Sequence, residues 1–173
     1  TISGETTYDL NSQLTQAYAL YLRARLHEVV TTEVEKLQQE LTQQWGDSWK
    51  STAIAHFMGA TYKLLMKEKE ALDLFKKPGA VFNPQGMWPL SDVAFYWSTY
   101  AYLSAAHFPS STWVSPLDGG LAVSKMIEEG SFSTFTGAFS LLALEALSRG
   151  LGDERRTMLH LSELHKDGVA TAL

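Results

Sequence analysis

The chain has 173 residues, 45% of them apolar and 19% charged, with 12 Gly and 5 Pro, which suits one full buried core and excludes disordered, collagenous and low-complexity classes. Its 14 basic and 19 acidic side chains leave a net charge of −5 and form no basic stripe that could track a nucleic-acid backbone. Zero cysteines exclude disulfides, thiolate metal sites and thiol catalysis.

Taken in chain order, the pattern is helix after helix. Residues 12–25 carry Leu14, Ala17, Tyr18, Tyr21 and Leu22 three and four apart. Thr31-Thr32 caps the second helix, with Glu35 at the spacing of a capping box. Its apolar stripe is Val34, Leu37, Leu41 and Trp45, and its glutamines face water. Gly46 stops it, and Asp47 or Ser48 starts a third helix that buries Ala53, Ile54, Phe57, Met58, Leu64 and Leu65. A short fourth spans 68–75 and ends before Pro78-Gly79.

Residues 81–89 form the one clear loop. Ser91-Asp92 caps a fifth helix over 93–106, apolar nearly all round, and Pro109 ends that stretch. Ser115 and Pro116 open a sixth with Leu117, Leu121, Ala122, Met126 and Ile127 on one face, and Gly130 stops it. Ser133 or Thr134 caps a seventh over 135–149, again heavily apolar, ended by Gly150 and Gly152. The tail, 153–173, fits a helix through Met158, Leu161 and Leu164 or a short strand through Leu159 and Leu161.

The fold class is therefore all-α, with short connections making neighbours antiparallel hairpins. Two helices apolar on all sides, the fifth and the seventh, require two layers, as in a solenoid or an α/α toroid. Residues 1–152 form the helical domain, and 153–173 lead towards a following domain, with a short β segment as one option. The opening Thr1-Ile2-Ser3-Gly4 has neither a starting Met nor a signal peptide, as expected of an excised or processed product. The longest apolar run, around Leu141–Leu144, is broken by Ser140 and Glu145, far short of the ~20 residues that span a bilayer.

Met58-Gly59, Tyr62, Ala71 and Phe75 sit at the spacings of a tetratricopeptide unit, in which a small Gly lets two helices approach. No second copy follows about 34 residues away, so the pattern marks one tight hairpin rather than an array. His160 and His165 are five apart and point away from each other on a helix, unlike the four-apart pair that binds zinc. His56, beside Phe57 on a core helix, is a structural histidine. Gly130-Ser131-Phe132-Ser133 lacks the second Gly of a nucleophile elbow. Among the acids Asp92, Asp118, Glu128, Glu129 and Glu145, the last is the odd one, a carboxylate inside an apolar helix; paired carboxylates would be needed for a toroid glycosidase. The candidate protein-contact surface is aromatic: Phe82, Met87 and Trp88 in the loop, with Trp113.

Three segments in order carry a resemblance. Gln16-Ala17-Tyr18-Ala19-Leu20-Tyr21-Leu22-Arg23-Ala24-Arg25 resembles the Ala-Tyr-Ala-Leu-Tyr helix of bacterial alpha-2-macroglobulins. Met87-Trp88-Pro89-Leu90-Ser91-Asp92-Val93-Ala94 resembles the start of their next inner helix, and residues 132–146 are similar to their Ser-Thr-x-x-x-Ala-x-x-x-Leu-Leu-Ala-Leu segment. All three fall in the expected order within residues 12–149. The resemblance implies the C-terminal part of the family's thioester-type α/α toroid, in a periplasmic protease trap whose bait is cut and whose Cys-to-Gln thioester, where present, captures the attacker.

The chain departs from that pattern in having no Cys, so no capture residue carries over to any position here. The resemblance then implies a non-catalytic scaffold with no cofactor and no metal. Its partners are other domains of the same parent chain and, through the full-length protein, target proteases; neither nucleic acid nor membrane insertion is expected. An apolar edge is expected where missing helices belong. The alternatives are a helical-repeat adaptor binding a partner near Phe82 and Trp88, and a toroid enzyme with two close carboxylates in a central cavity.

Overall fold

The computed structural model describes residues 5–75, 93–111, 114, 116–130, 133–150, 162–164 and 170–172. Among them are seven α-helices, and the all-α expectation holds. They are α1 (Glu5–Arg25), α2 (Thr31–Trp45), α3 (Ala53–Leu64), α4 (Glu68–Leu74), α5 (Val93–His107), α6 (Pro116–Glu128) and α7 (Thr134–Gly150), with a 3-10 turn at Ser48–Ser51. Where the tail is described it is strand: β1 (Ser162–Leu164) pairs antiparallel with β2 (Ala170–Ala172), Glu163 opposite Thr171.

The helices stack in series. α3 packs against α1, α4 and α5, and α5 packs against α3, α6 and α7. The odd-numbered helices thus form a row, α1 to α3 to α5 to α7, and the even-numbered ones cover it. Their directions follow from contacts near their ends. Lys63, late in α3, holds its ammonium 5.4 Å from the ring of Phe108, one residue past α5, so α3 and α5 end on the same side. Arg23 near the end of α1 reaches Glu33 near the start of α2, and Gly120 early in α6 lies against Leu147 late in α7. The covering helices therefore run back, as short connections require.

Three helix starts differ from the sequence reading in instructive ways. α2 begins one residue early, after Val30, which makes no side-chain cap; Thr31 and Thr32 lie inside the first turn, and the Glu35 carboxylate is taken by Lys67. The capping box is not formed. Asp47 and Ser48 open only the 3-10 turn, and the cap of α3 is Thr52, whose Oγ1 donates to the Trp49 carbonyl at 2.7 Å and accepts from the Ile54 N–H. α1 begins at Glu5, earlier than expected. By contrast Ser133 caps α7 as read: its Oγ accepts the Thr136 N–H at 3.2 Å, and Thr136 Oγ1 accepts the Ser133 N–H at 2.9 Å. The caps expected at Ser91, Asp92 and Ser115 lie outside the described residues.

The most enclosed helices are α3 and α5, not α5 and α7. Ten consecutive residues of α3, Ala53 to Tyr62, are buried, whereas α7 leaves Phe135, Leu141 and Leu142 exposed. The reason is position: α3 and α5 have a neighbour on both sides of the row, and α7 stands at its end. Phe57 is the hub of the core. Its ring centroid is 5.1 Å from that of Tyr18 and 5.9 Å from those of Tyr21 and Phe139, and Phe139 is 5.6 Å from Phe95, so one aromatic cluster joins all four helices of the row. Gly59 does what its motif implies. A Cβ there would fall 2.7 Å from Phe75 Cδ2 and 3.3 Å from the Ala71 carbonyl, so only glycine lets α3 and α4 meet this closely.

Candidate functional site

Because α1, α5 and α7 run the same way, their last turns open onto a common cleft of about 500 Å³. α1 contributes Tyr21 and Arg25, α5 contributes Tyr102 and His107, and α7 contributes Glu145 and Arg149. Leu142, Ala105, Ala106 and Ala146 make the apolar part of the wall. Tyr21 with Arg25 and Glu145 with Arg149 are four residues apart, one turn, so each of these two pairs shares a face, whereas Tyr102 and His107 are five apart and both border the cleft without sharing a face of α5.

The polar groups form a chain. Arg25 Nη1 donates to the Tyr102 hydroxyl at 3.2 Å, and Tyr21 OH donates to the same oxygen at 3.3 Å. Tyr21 OH also lies 3.0 Å from His107 Nε2. With Tyr21 donating to Tyr102, the tautomer of His107 that completes the chain is the one whose Nε2–H donates to the Tyr21 oxygen. The Tyr102 hydroxyl then accepts two hydrogen bonds, and its own proton has no acceptor among the described residues. Tyr102 is only 8% exposed and lines the cleft.

Burial, and after it the positive charges of Arg25 and Lys63, holds His107 down at about 4, so its imidazole is neutral at physiological pH. Burial and the adjoining Tyr102 hydroxyl push the Tyr21 phenol well up, so it too stays neutral. Arg149 pairs with Glu145 at 2.5 Å on the exposed rim. The cleft is left with one net positive charge, on Arg25, whose guanidinium meets a hydroxyl and the Tyr21 ring but no carboxylate among the described residues.

Phe82, Met87, Trp88 and Trp113, the aromatic contact surface expected from sequence, lie outside the described residues, as do Asp92, His160 and His165. His56 is a core histidine as read: buried, with Nδ1 3.1 Å from Thr99 Oγ1 and its ring 4.4 Å from that of Tyr96, and burial holds it down at about 3. Glu145, the odd acid of the sequence, does line the cleft, but no second carboxylate joins it among the described lining residues, and a glycosidase pair would need one. Among the described residues no group of three or more His, Asp or Glu is placed to hold a metal ion. A second cleft, of about 510 Å³, lies between α2, α3 and α4, lined by Gln38, Gln39, Thr42, Gln43, Glu35, Tyr62 and Glu70. There Tyr62 OH donates to Gln38 Oε1 at 2.5 Å. Sequence reading missed the first cleft because its members come from three helices; the only local signals were Tyr21 with Arg25 and Glu145 with Arg149.

Comparison with known proteins places this geometry in context. The chain is similar to an alpha-2-macroglobulin homolog of Yersinia pestis, 26% identical over 166 residues. The alignment covers 91% of this chain and 8% of that relative, so the chain spans a small part of the protein it matches. No protein-family model and no solved structure matches the chain. The match supports a relationship to the bacterial alpha-2-macroglobulin family.

Proposed function

We propose that this chain is a non-catalytic scaffold and shielding segment of an alpha-2-macroglobulin-like protease trap working in the bacterial periplasm. The observation that carries the proposal is the similarity to the Yersinia pestis homolog running through 91% of the chain. Two physical features support it. The odd-numbered helices form an inner row and the even-numbered ones an outer cover, the alternation an α/α toroid is made from. The open end of that row, at α6 and α7, exposes Leu117, Leu121, Phe135 and Leu141, a face suited to further helices of the same ring. With no Cys in the chain, any covalent capture of a protease belongs to another part of the parent. Among the described residues no helix is long and apolar enough to cross a membrane.

The test uses the intact parent protein. It is treated with a panel of proteases, with and without methylamine, and examined on denaturing gels and by size exclusion. Adducts abolished by methylamine make this chain the support of a thioester capture domain. Limited cleavage with a change of shape and no adduct makes it part of a trap that works by enclosure. If proteases produce neither limited cleavage nor a complex, the proposal is wrong.

A further inference from the structure

We propose that the cleft at the C-terminal ends of α1, α5 and α7 is a carboxylate-binding site, with Arg25 and Tyr102 as the two donors. The inference rests on the fold alone and holds whatever the parent protein does.

The cleft presents two groups that lack an acceptor. One is the Tyr102 O–H, whose oxygen already accepts from Tyr21 and from Arg25 while its proton has no partner among the described residues. The other is the Arg25 guanidinium, which spends one N–H on Tyr102 and meets no carboxylate among those residues. They adjoin each other at 3.2 Å, so a ligand with two oxygens on one carbon can take one bond from each. His107 and Tyr21 hold this arrangement, since the Nε2–H of the neutral imidazole fixes the Tyr21 oxygen as acceptor and so directs the Tyr21 proton to Tyr102.

The charge count selects the ligand. Glu145 offsets Arg149, leaving a single net positive charge. Three helix C-termini, the negative ends of their dipoles, converge on the same cleft. These ends weaken the hold on any anion and on a dianion such as phosphate most, so among anions a monoanionic carboxylate is the one that the single Arg25 charge best balances. The cleft is also larger than a carboxylate needs, and its Leu142, Ala105, Ala106 and Ala146 wall suits an aliphatic stem. Two sources have that chemistry: an acidic side chain presented by a polypeptide segment, and a free aliphatic carboxylic acid.

Two arms on the full-length protein separate them. In the first, the Arg25→Lys variant is treated with a water-soluble carbodiimide, and the zero-length amide between the new amine and its carboxylate partner is mapped by mass spectrometry. In the second, phenylglyoxal modification of Arg25 is timed against that of Arg23, with and without valerate, in the unsubstituted protein and in Tyr102→Phe. A cross-link to an acidic side chain outside the described helices establishes the polypeptide source. No such cross-link, together with saturable protection of Arg25 by valerate that weakens about tenfold in Tyr102→Phe, the loss expected for one hydrogen bond to a charged group, establishes the free acid. A cross-link only to Glu28, Glu33 or Glu145, or none, combined with Arg25 reacting equally fast with and without valerate, overturns the proposal.

Discussion

Two glycines in the second half of the chain should respond to the same substitution with opposite signs. Gly119 lies where α6 crosses α5. A Cβ there would fall 2.7 Å from Ala101 Cα, 2.9 Å from its Cβ and 3.1 Å from its N. The Cα and N are backbone atoms of a buried helix and the Cβ is fixed to them, so none can swing aside and relief requires α5 and α6 to separate. Overpacking of this kind costs about 1–3 kcal/mol, and rigid neighbours place it at the upper end. Helix propensity returns about 1 kcal/mol for Gly→Ala, leaving a net loss of about 2 kcal/mol. Gly137, in the first turns of α7, has nothing within 4 Å of the same position, so Gly137→Ala keeps the propensity gain of up to about 1 kcal/mol. With a urea slope of about 2 kcal/mol/M, the midpoint falls by about 1 M for Gly119→Ala and rises by about 0.4 M for Gly137→Ala. A Gly119→Ala midpoint equal to or above that of the unsubstituted chain would refute the close approach of α5 and α6.

Phe57→Ala empties the centre of the aromatic cluster that joins α1, α3 and α7, and should cost about 3–5 kcal/mol by denaturant titration. Met66 sits at φ 62 in the turn that ends α3, its N–H donating to the Lys63 carbonyl and the Lys67 N–H to that of Tyr62, with its side chain 89% exposed; Met66→Gly should therefore stabilise by about 1 kcal/mol in the same assay. His56 and His107 are held at about 3 and about 4, below the ordinary histidine value, so between about pH 4 and 6.5 the unfolded chain binds protons that the folded chain does not. Stability should fall as pH drops through that window, by up to about 1.4 kcal/mol per unit for each histidine, and calorimetry at pH 5 should find about two protons taken up by them on unfolding. Leu121 and Leu141 are 62% and 70% exposed, so replacing both with Lys should suppress self-association of the 173-residue chain in sedimentation experiments while shifting its urea midpoint little.

Periodicity made the helices legible, because apolar residues three and four apart leave few other options. Stops at Gly46 and Gly130, the cap at Ser133 and the Gly59 hairpin were equally local, each set by residues within one or two turns of each other. The α2 start was misread because Thr32 and Glu35 have the right spacing, yet Lys67, 32 positions away, claims the carboxylate. The cleft was illegible for the same reason on a larger scale. Tyr21 and Tyr102 are 81 positions apart, and only the common direction of α1 and α5 brings their hydroxyls together. An apolar helix can be recognised from its residues, but the number of neighbours it has cannot, and that is why α7 was expected in the interior beside α5.

That misreading bears on what the chain does. A helix with apolar residues on every face has been given a surface for more neighbours than α5 and α6 supply. Phe139 and Ala143 of α7 face the row and are buried, whereas Leu141 turns away from it and is 70% exposed, and Leu142 borders the cleft. Covering such side chains contributes roughly 1.5–3 kcal/mol each, so the face represents a substantial unspent driving force for association. At the other end of the row α1 is less open: Tyr18 and Leu22 are 38% and 37% exposed, and the Tyr18 ring still reaches Phe139 at 6.3 Å. The asymmetry gives the row a direction of growth, from α7 outward. Under the macroglobulin-like proposal that growth is the rest of the ring. The two Lys substitutions, near neutral in the chain alone, should then destabilise the full-length protein, because there they would bury a charge.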